Sequence, residues 1–187
     1  LSNIWNRFVK RSTDIFMGTL ALIIFSPIML VAIIGIKVSS KGPIIYKQKR
    51  IGLHNKEFEM YKFRSMMVQT DGMDASKWTT SDDPRVTRFG KLMRKTSIDE
   101  LPQLVNIIKG DMSFVGPRPL ISSEIRAHRL RMEYGVYKFR PGLTGWAQVN
   151  GRDSISLMKK MKLDKEYCDN WSLGLDLKIL LRSVMVC

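Results

Sequence analysis

A long apolar run near the start of the chain is its dominant hydrophobic pattern. Residues 15–36 contain no charged side chain, and Ser26-Pro27 lies in the middle of the run. About 20 apolar residues are enough for a helix to span a bilayer core, but proline bends or breaks a helix because it removes a backbone donor. The pattern predicts either one kinked helix that crosses the membrane or a re-entrant helix that enters and leaves on one side. A cleaved signal peptide and a buried core helix are both disfavoured.

Basic residues flank the run on both sides. They are Arg7, Lys10 and Arg11 before the run, and Lys37 and Lys41 after it. Because basic residues favour the cytoplasmic side of a membrane, both ends are expected on that side. Ahead of the run, apolar Ile4, Trp5, Phe8 and Val9 alternate with basic residues, which is typical of an amphipathic entry at the membrane surface.

The rest of the chain combines strand-like and helical patterns. Residues 44–46 and 58–61 favour the strands of a hairpin, with a turn at 52–56 between them. Apolar residues recur at helical spacing at Leu101, Leu104, Val105 and Ile108, which predicts a helix that begins at Ser97 and ends at Gly110. The same spacing recurs at Leu177, Leu180, Leu181 and Val184. The second of these helices would either pack on the domain or lie on the membrane. We therefore predict an α+β fold, with a membrane segment over residues 1–40 and a small cytosolic, mainly helical domain over residues 41–187, including interfacial amphipathic helices.

Smaller features complete this picture. Polar or glycine-rich stretches predict loops at 68–87, 114–119 and 140–152. Short helices are expected over 88–95 and within 121–137.

Composition adds a strong basic excess. The 187 residues include 31 Lys and Arg against 17 Asp and Glu, for a net charge of +14. Such an excess indicates a polyanionic partner, namely nucleic acid, anionic lipid or a phosphate-bearing substrate, and the apolar run favours the last two. Cys168 and Cys187 have neither zinc-ligand spacing nor a disulfide pattern, so packing roles in a reducing compartment are expected.

Asp99-Glu100 is the first candidate for chemistry. Two adjacent carboxylates at a helix start would stay ionised, and an ionised aspartate can act as a nucleophile. The pair can also hold Mg²⁺. The alternative is structural, because Ser97 and Glu100 have the spacing of a helix capping box.

Arginines on stiff turns form a second constellation. Arg118, Arg140 and Arg152 each adjoin glycine or proline, and a guanidinium fixed in this way matches phosphate oxygens. Gln148 and Asn150 nearby have the groups to contact a nucleobase or sugar hydroxyls. The alternative for each arginine is a solvated basic surface.

A basic and aromatic strand provides the third candidate. In residues 61–66, Lys62 and Arg64 would point to one face and the aromatic residues to the other. The alternative is an amphipathic strand whose basic face lies in water.

Several motifs taken together resemble one family. They are Ser26-Pro27, YKFRSM at 61–66, DELPQL at 99–104, KGDMSFVGPRP at 109–119 and RPGLTGWAQVNGR at 140–152. In this order, and over nearly the whole chain, they resemble the small monotopic bacterial phosphoglycosyl transferases, the undecaprenyl-phosphate sugar phosphotransferases that initiate polysaccharide and glycoconjugate assembly.

The resemblance implies a reaction, a cofactor and a location. Such enzymes transfer a sugar 1-phosphate from a UDP-sugar to undecaprenyl phosphate, release UMP and need Mg²⁺. Their membrane segment is re-entrant with its break at the Ser-Pro pair, here Ser26-Pro27, and the catalytic domain lies on the cytoplasmic face of the bacterial inner membrane. The resemblance therefore favours the re-entrant helix over the simple crossing.

The resemblance also implies roles for individual residues. Asp99 would be the nucleophile that forms a phospho-sugar–aspartate intermediate, and Glu100 would be a Mg²⁺ ligand or an orienting base, with both carboxylates as metal candidates. The candidate substrate-binding residues are Lys62, Arg64, Arg94, Arg118, Arg140, Gln148, Asn150 and Arg152.

A rival interpretation comes from a different class of protein. A membrane-tethered basic protein could bind anionic lipid or nucleic acid without catalysis, with an affinity that falls steeply with salt. The aromatic residues do not form the base-stacking pattern of nucleic-acid binding. We therefore expect a UDP-sugar, undecaprenyl phosphate and anionic lipids as partners, and no nucleic acid. Oligomeric state and the identity of the sugar stay open.

Overall fold

The computed structural model describes residues 4–67, 83–151 and 154–186. Most of the predicted loop at 68–87 and the candidate Arg152 lie outside these residues. The described chain contains both helices and strands, in agreement with the predicted α+β fold. The strands are β1 (Ile45–Ile51), β2 (Glu57–Phe63), β3 (Ser113–Val115) and β4 (Gly142–Thr144), and the helices are α1 (Ile4–Ser39), α2 (Arg88–Lys95), α3 (Gln103–Lys109), α4 (Ile125–Glu133), α5 (Trp146–Val149), α6 (Leu157–Asp169) and α7 (Leu173–Val186).

The apolar run lies within α1, which carries Pro27 inside it. The helix is long and apolar enough to cross a membrane. A normal residue at position 27 would donate its N–H to the carbonyl of Ile23, four residues earlier. Proline lacks that N–H, and the hydroxyl of Ser26 instead donates to the Ile23 carbonyl at 2.7 Å. The serine thus satisfies the acceptor that the proline would leave without a partner.

The predicted hairpin is present and longer than the sequence pattern indicated. β1 and β2 are antiparallel and pair from Ile45 with Phe63 to Ile51 with Glu57. Met60 and Phe63 lie on opposite faces of β2, and both are buried, Met60 against α3 and Phe63 against α1 and α2. The tight connection between the strands places His54 and Asn55 at positive φ.

The helix predicted from Ser97 to Gly110 is shorter than expected. Residues Ile98–Glu100 form a single 3-10 turn, and α3 begins only at Gln103. Ser97 has a left-handed backbone, with φ of 55°, so the helix cannot extend back through it. Gly110 ends α3 at φ of 96°, as predicted.

The two stretches predicted as loops at 114–119 and 140–152 contain a short parallel pair. Ser113 pairs with Gly142, and Val115 pairs with Thr144. A side chain at Gly142 would meet the backbone nitrogen of Gly116 at 2.1 Å, so glycine allows these two segments to approach. The strands are only three residues long, too short for an alternating pattern to reveal them.

Both ends of α1 contact the folded domain. Near its start, Lys10, Arg11 and Asp14 bind residues of α7, α3 and β3 respectively. Near its end, Ala32 and Ile36 are buried against Phe63 and Met93. Between these two contact regions, residues 23–28 are exposed.

Candidate active site

The 3-10 turn between α2 and α3 carries the two predicted carboxylates. Asp99 is only 9% exposed. The side chain of Ser97 makes no capping hydrogen bond, and Glu100 forms an ion pair with Lys62 at 2.7 Å instead. The capping-box alternative is therefore wrong.

The electrostatic environment of Asp99 differs from the expected helix start. Burial raises the pKa of the Asp99 carboxyl, and the positive charge of Lys62 is the main influence that lowers it again. The charge of Glu100 raises this pKa further, and Arg94 on α2 opposes it. The turn is a single one, and burial acts against the charged form of Asp99, so the ionisation of Asp99 does not rest on helix position alone.

A cavity next to this turn is lined by basic and polar side chains. Lys62 and Glu100 form part of its wall, and Arg118 and Gln148 form another part. Arg50 also lines this cavity, although the sequence analysis did not single it out. Burial lowers the pKa of the Arg50 guanidinium, and the nearby charge of Arg118 lowers it further.

The sequence contained a signal for Arg50. In an antiparallel pair, residues directly opposite each other share a face. Lys62 lies opposite Tyr46, and strand alternation then places Arg50 on the same face as Lys62. An assumed register for the hairpin would therefore have indicated Arg50.

Arg118 is held by a buried ion pair that the sequence did not reveal. Arg131 donates to the backbone carbonyl of Arg118 at 2.6 Å. It also pairs with Asp164 at 2.6 Å, and both side chains are 3% exposed. Because α4 and α6 supply the two partners from distant positions, no local pattern could have connected them. The pair fixes the backbone of the turn that presents Arg118.

Other predicted substrate-binding residues lie away from the cavity wall in the described chain. Arg64 is buried and donates to the carbonyls of Ser40 and Lys41, at 2.7 and 2.9 Å. Arg140 donates to the carbonyl of Gly110 at 2.8 Å. These contacts join the end of α1 to β2, and β4 to the end of α3.

Two more candidates make contacts outside the cavity wall. Arg94 donates to the hydroxyl of Ser65 at 2.8 Å, while its charge still acts on Asp99. The amide of Asn150 donates to the carbonyl of Trp146 at 2.8 Å. The structure therefore brings Lys62, Glu100, Arg118 and Gln148 together, and the substrate-binding roles of the other candidates stay predictions.

Two comparisons with known proteins cover nearly the whole chain. A family model described as bacterial sugar transferase matches residues 5–187. An uncharacterized sugar transferase of Bacillus subtilis, EpsL, is 45% identical over 94% of this chain, which covers 85% of that protein.

Two longer relatives have more specific names. The UDP-glucose:undecaprenyl-phosphate glucose-1-phosphate transferase of Escherichia coli K12 is 40% identical over 96% of this chain. The undecaprenyl-phosphate galactose phosphotransferase of Salmonella typhimurium is 39% identical over 97% of it. The chain spans 40% of the length of each of these two relatives.

Proposed function

The chain belongs to the bacterial sugar transferase family, and we propose that it transfers a sugar 1-phosphate from a UDP-sugar to undecaprenyl phosphate with release of UMP. The observation that carries this proposal is the buried carboxylate of Asp99. Asp99 directly precedes Glu100 in the chain, and Glu100 lines a cavity together with Lys62, Arg50 and Arg118. A nucleophilic carboxylate beside fixed cations suits phosphoryl transfer, in which positioning and electrostatics supply most of the catalysis. The names of the two longer relatives support the same reaction type.

The proposed reaction has two steps. First, a carboxylate oxygen of Asp99 bonds to the β-phosphorus of the UDP-sugar, and the bond from that phosphorus to the bridging oxygen breaks, so that its electron pair leaves with UMP. An oxygen of the lipid phosphate then bonds to the same phosphorus, and the Asp99 carboxylate leaves unchanged. Because the intermediate is covalent, the soluble and the lipid substrate need not be bound together.

Lys62 and Arg118 would act on the phosphates during these steps. Lys62 is held by Glu100 at 2.7 Å and lowers the pKa of Asp99, so it favours the ionised nucleophile. The backbone of Arg118 is fixed by Arg131, which reduces the entropy lost when its guanidinium binds a phosphate group.

The adjacent carboxylates fit a Mg²⁺ ion. Proteins usually bind Mg²⁺ through one or two carboxylates, with water and substrate phosphates as the other ligands. The described residues contain no cluster of three or more His, Cys, Asp or Glu side chains, so Asp99 and Glu100 would be the protein's ligands. When bound, the ion would neutralise charge that develops on the phosphates.

We further propose that α1 is re-entrant and that the domain lies on the cytoplasmic face of the inner membrane. Lys10 near one end of α1 and Ile36 near the other contact the same domain, whereas a helix that crossed the bilayer would carry one end to the opposite side. The exposed residues 23–28 between these contacts include Ser26 and Pro27. A membrane segment of this kind would hold Asp99 near the plane of the lipid phosphates.

Cysteine labelling tests this topology. In a Cys187→Ser background, Ile4→Cys and Lys41→Cys would each be exposed to a membrane-impermeant maleimide in inside-out vesicles and in spheroplasts. The remaining Cys168 is buried, and burial raises the pKa of its thiol to about 12, so it should not react. The re-entrant helix predicts labelling of both sites only in inside-out vesicles. Labelling of Ile4→Cys from the periplasmic side would contradict it.

A UMP-release assay tests the proposed reaction. Protein in nanodiscs would be incubated with Mg²⁺, undecaprenyl phosphate and a panel of UDP-sugars that includes UDP-glucose and UDP-galactose. We expect UMP with at least one sugar, and its loss on addition of EDTA or in Asp99→Asn, whose amide is not a nucleophile. Asp169→Asn, an exposed substitution of the same kind, is the control. Turnover by Asp99→Asn would contradict the assignment, and no UMP from the wild type would favour the tethered binding protein instead.

A further inference from the structure

We propose that Arg50 is a phosphate-binding residue that acts with Arg118 on one phosphate group of a substrate. The inference rests on the proposed function, because that phosphate belongs to the nucleotide or to the lipid. It adds a residue of β1 to a site otherwise built from β2, the 3-10 turn and the segment after β3.

The register of the hairpin places Arg50 on the wall of the cavity. Gln48 lies opposite Met60, and Tyr46 lies opposite Lys62. Residues two apart on a strand share a face, so Arg50 lies on the same face as Met60 and Lys62. All three of these side chains line the cavity.

The segment that carries Arg118 is joined to the end of β1. The backbone N–H of Ile51 donates to the carbonyl of Leu120 at 2.9 Å. The Nη1 of Arg50 donates to the carbonyl of Pro119 at 3.1 Å. Two arginines from distant parts of the sequence thus line the same cavity. They are close enough that the charge of Arg118 lowers the pKa of Arg50.

The guanidinium of Arg50 is fixed by neutral acceptors. Its Nη2 and Nε donate to Oε1 of Gln48 at 2.8 and 3.2 Å. These bonds orient the planar group without placing a carboxylate directly against it.

The cavity therefore has a surplus of positive charge. Lys62 is paired with Glu100, whereas none of the ion pairs among the described residues includes Arg50 or Arg118. Two adjacent guanidinium groups repel each other unless an anion lies between them. A phosphate group has the charge and the oxygen geometry to accept from both forks.

Two substitutions at Arg50 test this role. Arg50→Gln removes the charge and keeps a polar planar group, and Arg50→Lys keeps the charge and loses the planar fork. The measurements are the Kd for UMP, the KM for the UDP-sugar and the KM for undecaprenyl phosphate. We expect Arg50→Gln to weaken one phosphate ligand by about 10- to 100-fold, the usual range for a lost hydrogen bond to a charged group, with a smaller loss in Arg50→Lys.

The source of the phosphate follows from which constant changes. A weaker UMP Kd with a higher KM for the UDP-sugar assigns the nucleotide phosphate, and a change confined to the KM for undecaprenyl phosphate assigns the lipid. The matched control is Lys49→Gln, because Lys49 is the next residue on β1, points to the opposite face and has a side chain that is 78% exposed. It should leave all three constants within about twofold.

Two results would overturn the inference. One is that the wild type turns over but Arg50→Gln leaves all three constants unchanged. This result would contradict the role of Arg50 and leave the proposed function intact. The other is equal loss in Arg50→Gln and Arg50→Lys together with a lowered unfolding midpoint, which would assign Arg50 a structural role.

A measurement on the wild-type protein avoids dependence on variant folding. Phenylglyoxal modification of Arg50 would be followed by mass spectrometry with and without UMP, inorganic phosphate or undecaprenyl phosphate. We expect at least one of these phosphates to protect Arg50, even if the wild type failed to release UMP from any UDP-sugar. Unchanged modification with all three would contradict the role of Arg50.

Discussion

Two charged regions of the molecule differ in how completely their charges are paired. At the start of α1, Lys10 is paired with Asp176 at 2.6 Å, and the two side chains are 10% and 12% exposed. In the cavity beside Asp99, Lys62 has Glu100, but Arg50 and Arg118 have no carboxylate partner within the described residues. Paired charges hold α1 on the domain, and surplus charges mark the surface where a ligand would bind.

The first region, which we call the α1 foot, consists of Lys10, Arg11 and Asp14 with their partners. Arg11 donates to the carbonyls of Ile107 and Ile108 near the end of α3, at 2.6 and 2.5 Å. Asp14 accepts from the hydroxyl of Ser113 at 2.9 Å. A buried charge without a partner is costly, so these contacts stabilise the position of the α1 foot on the domain.

The largest effect on stability is expected from breaking the buried pair. Asp176→Asn leaves Lys10 buried without a counter-charge, and removal of one partner of a buried ion pair costs about 3–5 kcal/mol in the free energy of unfolding. The same carboxylate also accepts from the hydroxyl of Tyr167 at 2.8 Å. Thermal unfolding in nanodiscs, followed by tryptophan fluorescence, would measure the loss.

Two further variants sharpen this test. Asp169→Asn removes a carboxylate from an exposed pair with Lys165 on α6, and it should not shift the midpoint measurably. The double variant Lys10→Met/Asp176→Leu removes both charges at once and should recover much of the stability. If the double variant were as unstable as Asp176→Asn, the pairing of charge would not be what holds the α1 foot.

Breaking the Lys62–Glu100 pair in the cavity should lower the rate and leave the stability nearly unchanged. Lys62 and Glu100 are 21% and 30% exposed, so water can solvate either one when its partner is removed, and Lys62→Met should change the unfolding midpoint little. The rate of UMP release should fall by about 10²-fold, the usual loss when one preorganised electrostatic contact to a transition state is removed. Lys47→Met, which removes an exposed lysine from the opposite face of β1, should leave the rate unchanged. A loss of stability as large as that of Asp176→Asn would remove the distinction between the two regions.

The sequence predicted the features that are close together along the chain. The Asp99-Glu100 pair, the hairpin, α2 and the end of α3 at Gly110 all follow from local patterns, and the structure contains each of them. The resemblance to a family added the proposed role of Asp99, which packing alone does not reveal.

Contacts between distant residues could not be predicted in this way. Lys10 and Asp176 are 166 positions apart, and Arg131 and Asp164 belong to different helices. Both pairs depend on how helices pack, and a single sequence does not encode that packing in a local pattern. The capping-box alternative failed because Ser97 has a left-handed backbone, and Lys62 on β2 pairs with Glu100 from outside the turn.

The smallest expected effect is a shift in the pH dependence of the proposed reaction. Burial raises the pKa of Asp99 and Lys62 lowers it, and the nucleophile reacts only when deprotonated. Activity should therefore fall on acidification at a higher pH than for an ordinary carboxyl group. In Lys62→Met the lowering charge is absent, so this acid limb should move to higher pH.

The measurement is kcat/KM for the UDP-sugar between about pH 5 and pH 8 at saturating Mg²⁺, where bell-shaped profiles report such groups. Lys62→Arg keeps the positive charge and should keep the wild-type profile even if its rate is lower. If Lys62→Met lost rate without any shift of the acid limb, Lys62 would act on the phosphates alone and not on Asp99. The difference in charge pairing between the two regions would still stand. The cations of the cavity would then act on the bound ligand and not on the nucleophile.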